Sequence, residues 1–563
     1  MNVHRRVGAA VLAAVVTCAA WLSVSCNAAS PLNLVPWPKS VEPAKGDGVT
    51  LTDKSRIVAA DKTLAPLAAV LADELFTLTG RRLATGEGAA GAGDIALALA
   101  PALTGEAYAV DVTDKALVRG ANYNAVAMGT VTLLQALQVS GGKAMLPALT
   151  VADKPDLAFR GLLVDVARQH HSTAGLKQIV VLCRMYKTRF LQLHLSDDQA
   201  FTFPSTKFPQ LKGSYTLAEL KDLVKFADDR GVTIVPEIEL PGHSGALRGA
   251  LPDLVGGPDV VDFLKPTALP TIETLIGEVC DVFVSSPYFH TGSDECWWPP
   301  FENLPHVIKD REVNKTNTPK QFGKFINQLN AIVKKHGKKT IVWEGFEGAY
   351  AGVDRDVLIM MFEISYYLPH VAVSEGYSII NTSWTPIYVV NGGHPPDEIY
   401  AWHLSQFKPF GAPPWSKGIV VPLGPQILGA QMCAWEQPEG TEMAMERHRL
   451  PAMNERVWTT TATRTYDDYE ARAAACDKLV DQLAYGFTVQ VQGLAKHWQT
   501  NFDTPATVTI TPAPGLAGTI RYTLDGTDPK GTSPACAGPI QLTKSTVLKA
   551  LAFDAAGKAA GLP

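Results

Sequence analysis

RFLQLHL at 189–195, LAELKDLVKFADDRG at 217–231 and VTIVPEI at 232–238 form one unit. The first and last runs are short and nearly continuous in apolar residues, the pattern of strands buried on both faces. The middle run places its apolar residues at helical spacing and stops at Gly231. Strand, helix and strand in that order describe a parallel sheet with a helical crossover. The same alternation extends outward. RGLLVDV (160–166), YFHTGSD (288–294), KTIVWEG (339–345), VLIMMFE (357–363), YSIINTS (377–383) and ILGAQMCAW (427–435) bring the candidate strands to eight. Eight such strands are what a (β/α)8 TIM barrel requires, and the α/β barrel is assigned to 156–495. The helical links between the fifth and eighth strands are weaker, and 384–426 reads as a long loop insertion.

The flanks read differently. Residues 30–155 open with LVPWPKSVEP and contain the alternating runs DIALALA (94–100) and YAVDVTDKALVRG (108–120). NAVAMGTVTLLQALQ (124–138) then shows helical spacing, which together predicts a small N-terminal α+β domain. Residues 503–563 carry short strands separated by turn signals such as DGTDP and DAAGK, which predicts an appended C-terminal β-sandwich. Residues 1–29 read as a signal peptide: Arg5 and Arg6 precede VGAAVLAAVVTCAAWLSV, and cleavage is expected near Ser25–Ser30. The expectation is an exported protein, periplasmic or extracellular. Cys26 follows LSVS, which loosely resembles a lipoprotein box with Ser23 in place of the usual leucine, so a lipid anchor at Cys26 is the alternative to plain cleavage. No other segment has the ~18 uncharged apolar residues of a membrane span.

Composition excludes several classes. A chain of 563 residues exceeds one ordinary core, and 46% hydrophobic with 19% charged residues describes a folded globular protein. A net charge of −5 without a basic run gives no support to a nucleic-acid partner. Beyond Cys18 and Cys26, the cysteines at 183, 280, 296, 433, 476 and 536 are scattered, and no CxxC or Cys/His cluster points to zinc. Export leaves room for one or two disulfides. Neither a metal nor an organic cofactor is expected.

Reactive groups of a (β/α)8 barrel collect where strands end and loops begin. Here those positions hold Asp165 and Arg168, then His194, Asp197 and Asp198, then Glu237, Glu239 and His243. Asp294 and Glu295 follow at the fourth strand, Trp343 and Glu344 at the fifth, Trp435 and Glu436 at the eighth. HTGSDECWW (290–298) sets two carboxylates side by side. Some of these residues have plainer readings. One of Asp197 and Asp198 can be a capping residue. Glu237 and Glu239 can be structural acids paired with Arg160 or Arg168. Trp297 and Trp298 can be packing or sugar-stacking, and Cys296 reads as packing.

RGLLVDVAR, LQLHLSDDQAF, PEIELPGHS, HTGSDE and WEGF together resemble the family 20 glycoside hydrolases, the β-N-acetylhexosaminidases, over nearly the whole chain. The resemblance implies retaining, exo-acting removal of terminal β-linked GlcNAc, or GalNAc, from a glycan or chito-oligosaccharide, with the sugar's 2-acetamido oxygen as nucleophile. It implies Glu295 as general acid and Asp294 as the group that holds the acetamido N–H and stabilises the cationic intermediate. Two adjacent carboxylates oppose each other's ionisation, which is expected to keep one protonated, the state an acid catalyst needs. By the same resemblance Asp198 and His243 support the acid, and Arg168 forks onto sugar hydroxyls. Trp343, Trp384 and Trp435 wall the pocket, and Tyr388 aims the acetamido oxygen. Two positions depart from the family pattern. Val390 stands where an aspartate is usual, and Gln437 where a glutamate is usual, with Glu436 one step early. Both usually touch hydroxyls remote from the reacting bond, so gluco versus galacto choice stays open. The rival readings are a lacto-N-biosidase-like enzyme that releases a disaccharide and an inactive carbohydrate-binding protein.

Overall fold

The computed structural model describes residues 32–254, 256, 260–296, 298–346, 348–390, 392–413, 416–461, 464–492 and 504–559. The expected signal segment with Cys26, and Trp297, lie outside the described residues.

The eight runs form a closed parallel barrel. Its strands are β1 (Phe159–Asp165), β2 (Phe190–His194), β3 (Thr233–Glu237), β4 (Tyr288–His290), β5 (Lys339–Trp343), β6 (Leu358–Met361), β7 (Ser378–Asn381) and β8 (Ile427–Ala434). Each pairs with the next, and β8 closes on β1 with Phe159 opposite Gly429 and Val164 opposite Ala434. Phe159, Leu163, Phe190, Val235, Ile341 and Ile380 meet in the barrel core, which explains why the strands read as unbroken apolar runs. Helices α1 (Thr173–Met185), α2 (Leu217–Asp228), α3 (Ala268–Val282) and α4 (Thr318–Lys335) follow the first four strands. α2 begins with a capping box, Thr216 accepting from Glu219 N–H while the Glu219 carboxylate accepts from Thr216 N–H. Beyond β5 the links shrink to a 3-10 turn (Gly348–Ala351) and the six-residue α5 (Pro369–Ser374).

The segment 384–426 is not a plain loop. It holds a helical turn (Trp384–Ile387), a two-residue strand (Tyr388–Val389), a helix (Pro396–Ala401) and a small hairpin. Tyr388–Val389 runs parallel to the end of β8, Tyr388 opposite Cys433 and Val389 opposite Ala434. Two residues have no periodicity to read; hydrogen bonds offered by the barrel rim make them a strand.

The N-terminal domain is a seven-stranded mixed sheet with helices at Ala65–Thr79 and Tyr123–Ala136. At the other end, Phe487–Gln492, Ala506–Pro512 and Ile540–Leu542 form one sheet, and Thr519–Thr523 with Lys549–Phe553 the other. Phe487, Val508, Ile520 and Ile540 pack between them as a sandwich core. Its first strand comes from within the span assigned to the barrel, so the sandwich takes in residues well before 503. Cys183, Cys280, Cys296, Cys433, Cys476 and Cys536 are all free thiols. Among the described residues no helix is long and apolar enough to cross a membrane.

Candidate active site

The strand ends of β2, β3 and β4 converge on a chain of acids and imidazoles. Glu237, wholly buried at the end of β3, accepts from Trp343 Nε1 at 2.7 Å and from Gln192 Nε2 at 2.9 Å. His194 Nδ1 lies 2.8 Å from Glu237 Oε2, and His194 Nε2 lies 2.9 Å from Asp197 Oδ2. Burial opposes charge on both groups, but His290, 2.9 Å from Glu237 Oε1, and His194 hold Glu237 well below the usual carboxylate range, and Glu237 with Asp197 raises His194 to about 10. Glu237 is thus a structural acid, but its partners are two imidazoles, an indole and an amide. The arginines expected for it are engaged elsewhere, Arg160 with Glu106 at 2.8 Å and Arg168 with Asp165 at 3.0 Å and Asp197 at 2.6 Å.

His243 links this chain to the paired acids. Its Nε2 lies 3.2 Å from Glu295 Oε2 and 3.9 Å from Asp294 Oδ2. On the other ring edge, Nδ1 lies 3.7 Å from Asp197 Oδ1 and 3.8 Å from Asp198 Oδ2. Burial alone would lower its proton affinity; the carboxylates of Asp198 and Glu295 outweigh that and raise it to about 11. The imidazolium in turn holds Glu295 below its ordinary value. This corrects the expectation drawn from the adjacent pair, for the group kept protonated in the free enzyme is not Glu295. Burial, Asp294 and Glu237 push Glu239 well above the carboxylate range, and burial also raises Asp294. The two buried carboxyl groups oppose each other's ionisation and titrate as a pair.

Backbone geometry sets the pair apart. Ser293 has φ +88°, Glu295 φ +42° and His243 φ +44°, left-handed conformations rare for residues with side chains and concentrated at functional sites. Gly292 is required: a Cβ there would lie 1.8 Å from Glu239 Oε1. Gly345 is equally constrained, its Cβ falling 1.7 Å from Ser293 O. Glu295 is the more open of the two acids, its side chain 44% exposed against 13% for Asp294.

The aromatic residues assemble beside them. Trp435 lies 5.8 Å from Trp343 and 6.3 Å from Tyr388, and Trp384 lies 4.7 Å from Tyr388, all ring to ring. Arg168 sits 5.3 Å over the Trp435 ring. Gln437 Nε2 donates to Trp435 O at 2.8 Å and to Val389 O at 3.4 Å, tying its amide to the rim backbone. Trp298 packs on Phe322 and Phe263, away from any sugar-facing role. Cys296, its thiol pushed up by burial, donates to Asp294 O at 3.3 Å. Asp198 does both things asked of it: Oδ1 caps Gly245 N–H at 2.7 Å and Oδ2 faces His243. The residue undervalued by sequence reasoning is Glu239 as proton partner of Asp294. Glu237 and Glu239 stand two apart in the chain, which flags them for one face, and that period was the available signal. Three sets of side chains come close enough to hold an ion, His194/Glu237/Glu239, Asp197/Asp198/His243 and His243/Asp294/Glu295. Most of these atoms are already engaged with one another.

Indoles grouped at the rim of a parallel barrel beside two neighbouring carboxylates, one of them bonded to an imidazolium, describe a barrel glycoside hydrolase. Comparison with known proteins narrows the class. Residues 157–461 match "Glycosyl hydrolase family 20, catalytic domain", 31–154 match its "domain 2", and 499–561 match "Chitobiase/beta-hexosaminidase C-terminal domain". The chain belongs to glycosyl hydrolase family 20, as a β-N-acetylhexosaminidase. A β-hexosaminidase of Porphyromonas gingivalis is 26% identical over 94% of this chain and 73% of its own length. One from Akkermansia muciniphila is 30% identical over 44% of this chain and 58% of its own. The fold matches the exo-β-N-acetylglucosaminidase of Vibrio harveyi, solved with N-acetylglucosamine, at a TM-score of 0.69 and 23% identity over 80% of this chain and 77% of that one.

Proposed function

We propose that the protein is a retaining exo-β-N-acetylhexosaminidase that removes terminal non-reducing β-linked GlcNAc or GalNAc by substrate-assisted catalysis. One observation carries the mechanism. Asp294 and Glu295 are consecutive residues just after β4, and Glu295 Oε2 and Asp294 Oδ2 both face the same atom, His243 Nε2, at 3.2 and 3.9 Å. Two-carboxylate retaining and inverting enzymes hold their acids about 5–5.5 Å and about 6.5–9.5 Å apart, across the scissile bond. A pair this close lies on one side of the sugar and leaves the nucleophile to the substrate.

In this scheme Tyr388 and Asp294 hold the acetamido group, oxygen and N–H respectively, and the oxygen attacks C1 as the glycosidic bond breaks. The leaving oxygen takes its proton from Glu295, supplied by the single proton that Glu295 and His243 share. Water then loses a proton to Glu295 and attacks C1, opening the oxazolinium ring with net retention. Arg168 grips ring hydroxyls while Trp343, Trp384 and Trp435 exclude water.

The test is a substrate pair. The enzyme should cleave an aryl β-N-acetylglucosaminide and leave the matching β-glucoside nearly untouched; comparable rates on the two would remove the mechanism. Chromogenic GlcNAc against lacto-N-biose substrates separates the exo reading from disaccharide release. We also propose export, on the basic and apolar N-terminal run, with the N-terminal mass of the purified protein deciding between cleavage near 25–30 and lipidation at Cys26.

A further inference from the structure

The rim after β6 holds a device that the chemistry above does not use. Glu344, directly after β5, is wholly buried. Its Oε1 accepts from Ser365 N–H at 3.1 Å, and the N–H groups of Ile364 and Tyr366 also turn toward the carboxyl group. Between these contacts Ile364 holds φ +63°, a left-handed conformation that a β-branched residue enters only under constraint. Burial pushes Glu344 up to about 8, and its Oε2 finds no hydrogen-bond donor. A buried carboxyl group kept at that cost in the wall of a pocket is a functional candidate.

What the turn presents is Tyr366. The residue is 43% exposed, yet its ring lies on Phe362 with centroids 6.3 Å apart and planes within 25°. Phe362 lies in turn on Tyr388 at 6.4 Å and 11°. Three near-parallel rings run from solvent to the tyrosine that faces the acetamido group. The carboxylates of Glu295, Glu363 and Asp294 all act on the Tyr366 phenol, Glu295 most after burial. In an exo-acting pocket the terminal sugar fills the interior, so an exposed ring stacked outward from Tyr388 meets the leaving group.

We propose that Tyr366 is the contact residue for the leaving-group sugar, and that Glu344 is a positioning residue that acts through the Ile364 turn to hold it there. This rests on the β-N-acetylhexosaminidase reading of the pocket. A pyranose offers a flat C–H face, and an exposed ring backed by a second ring is a preformed platform for it. Without Glu344 the turn loses the acceptor that offsets its strain, and the platform moves while the acids stay in place.

The test compares kcat/KM on N,N′-diacetylchitobiose, whose leaving group is a sugar, with that on methyl β-N-acetylglucosaminide, whose leaving group has no ring. In Y366A the ratio of chitobiose to methyl glycoside should fall about tenfold, carried by KM. E344A should reproduce that fall, and E344Q, whose amide oxygen still accepts from Ser365, should restore the ratio to within about twofold of wild type. E344D, its carboxylate withdrawn by one methylene, should give an intermediate ratio and replaces E344A if that variant does not fold. An unchanged ratio in Y366A overturns the platform. An E344A or E344D variant that loses both activities in step, or neither, overturns the positioning role. Wild-type enzyme that cleaves neither substrate removes the function itself, an outcome distinct from an unchanged ratio.

Discussion

At the scale of single residues, His243 controls where the pocket keeps its protons. It lies between two pairs of carboxylates and is raised to about 11, while Glu295 is lowered. The pair they form holds one proton from the acid range to well above neutrality. In kcat/KM, the alkaline limb reports loss of the catalytic proton from free enzyme. With His243 in place that limb should lie far above the carboxylate range. H243Q removes the imidazolium, so the limb should move down toward the ordinary pKa of a glutamic acid; a pH profile with an unmoved limb would contradict the shared proton. E295Q should lower kcat roughly 100- to 10,000-fold on chitobiose. It should cost far less on aryl glycosides, whose leaving groups need little protonation. D294N should cost roughly 100- to 1,000-fold in kcat while N-acetylglucosamine still binds by calorimetry. The acids themselves were legible in HTGSDE, because paired carboxylates beside small residues have few structural uses. Their protonation was not. It depends on Glu239 and His243, which reach Asp294 and Glu295 only through the barrel.

At the scale of elements, β4 and β5 run side by side as paired parallel strands, and their ends meet at the catalytic pair. Gly345 touches Ser293 O so closely that a methyl group has no room. G345A should therefore displace the Ser293–Glu295 turn, lowering stability by about 1–3 kcal/mol and activity by more than that loss of folded protein explains. Thermal unfolding and kcat on the same preparation check it. Tyr388 belongs to this scale too, because its aim is set by the short strand it shares with β8. Y388F keeps the ring and the strand but removes the hydroxyl. It should lower kcat about 10- to 100-fold with little change in product binding, by leaving the acetamido oxygen unaimed. The eight barrel strands were legible because strands buried on both faces read as apolar runs. The rim strand was not, since two residues carry no period, and the sandwich's first strand at Phe487–Gln492 was hidden by its continuity with the helix before it.

At the scale of the whole molecule, the N-terminal domain is joined to the barrel through a polar seam with no exposed slack. Glu74, on the helix Ala65–Thr79, accepts from Arg184 Nε at 2.6 Å and from Arg184 Nη2 at 2.8 Å. Both residues are buried, and Arg184 is on α1 of the barrel. Lys187, also buried, donates to Tyr108 Oη at 2.8 Å, and Trp458 Nε1 donates to Asp153 Oδ1 at 3.0 Å. A desolvated ion pair gains little over a well-packed apolar pair, but half of one is costly, because the remaining charge has neither water nor partner. R184M should therefore destabilise the protein by about 3–5 kcal/mol, leaving Glu74 buried without its hydrogen-bonded partner. The double variant E74M/R184M should recover most of that loss. Because the seam joins the two domains into one cooperative body, denaturant unfolding followed by far-UV circular dichroism and by tryptophan fluorescence should give coincident transitions in wild type and in both variants. A double variant no more stable than R184M would mean that the pair fixes the docking geometry rather than balancing a buried charge. Two separated transitions in the wild type would show that the N-terminal domain is an independent module, and would remove it from the account of how the barrel stands.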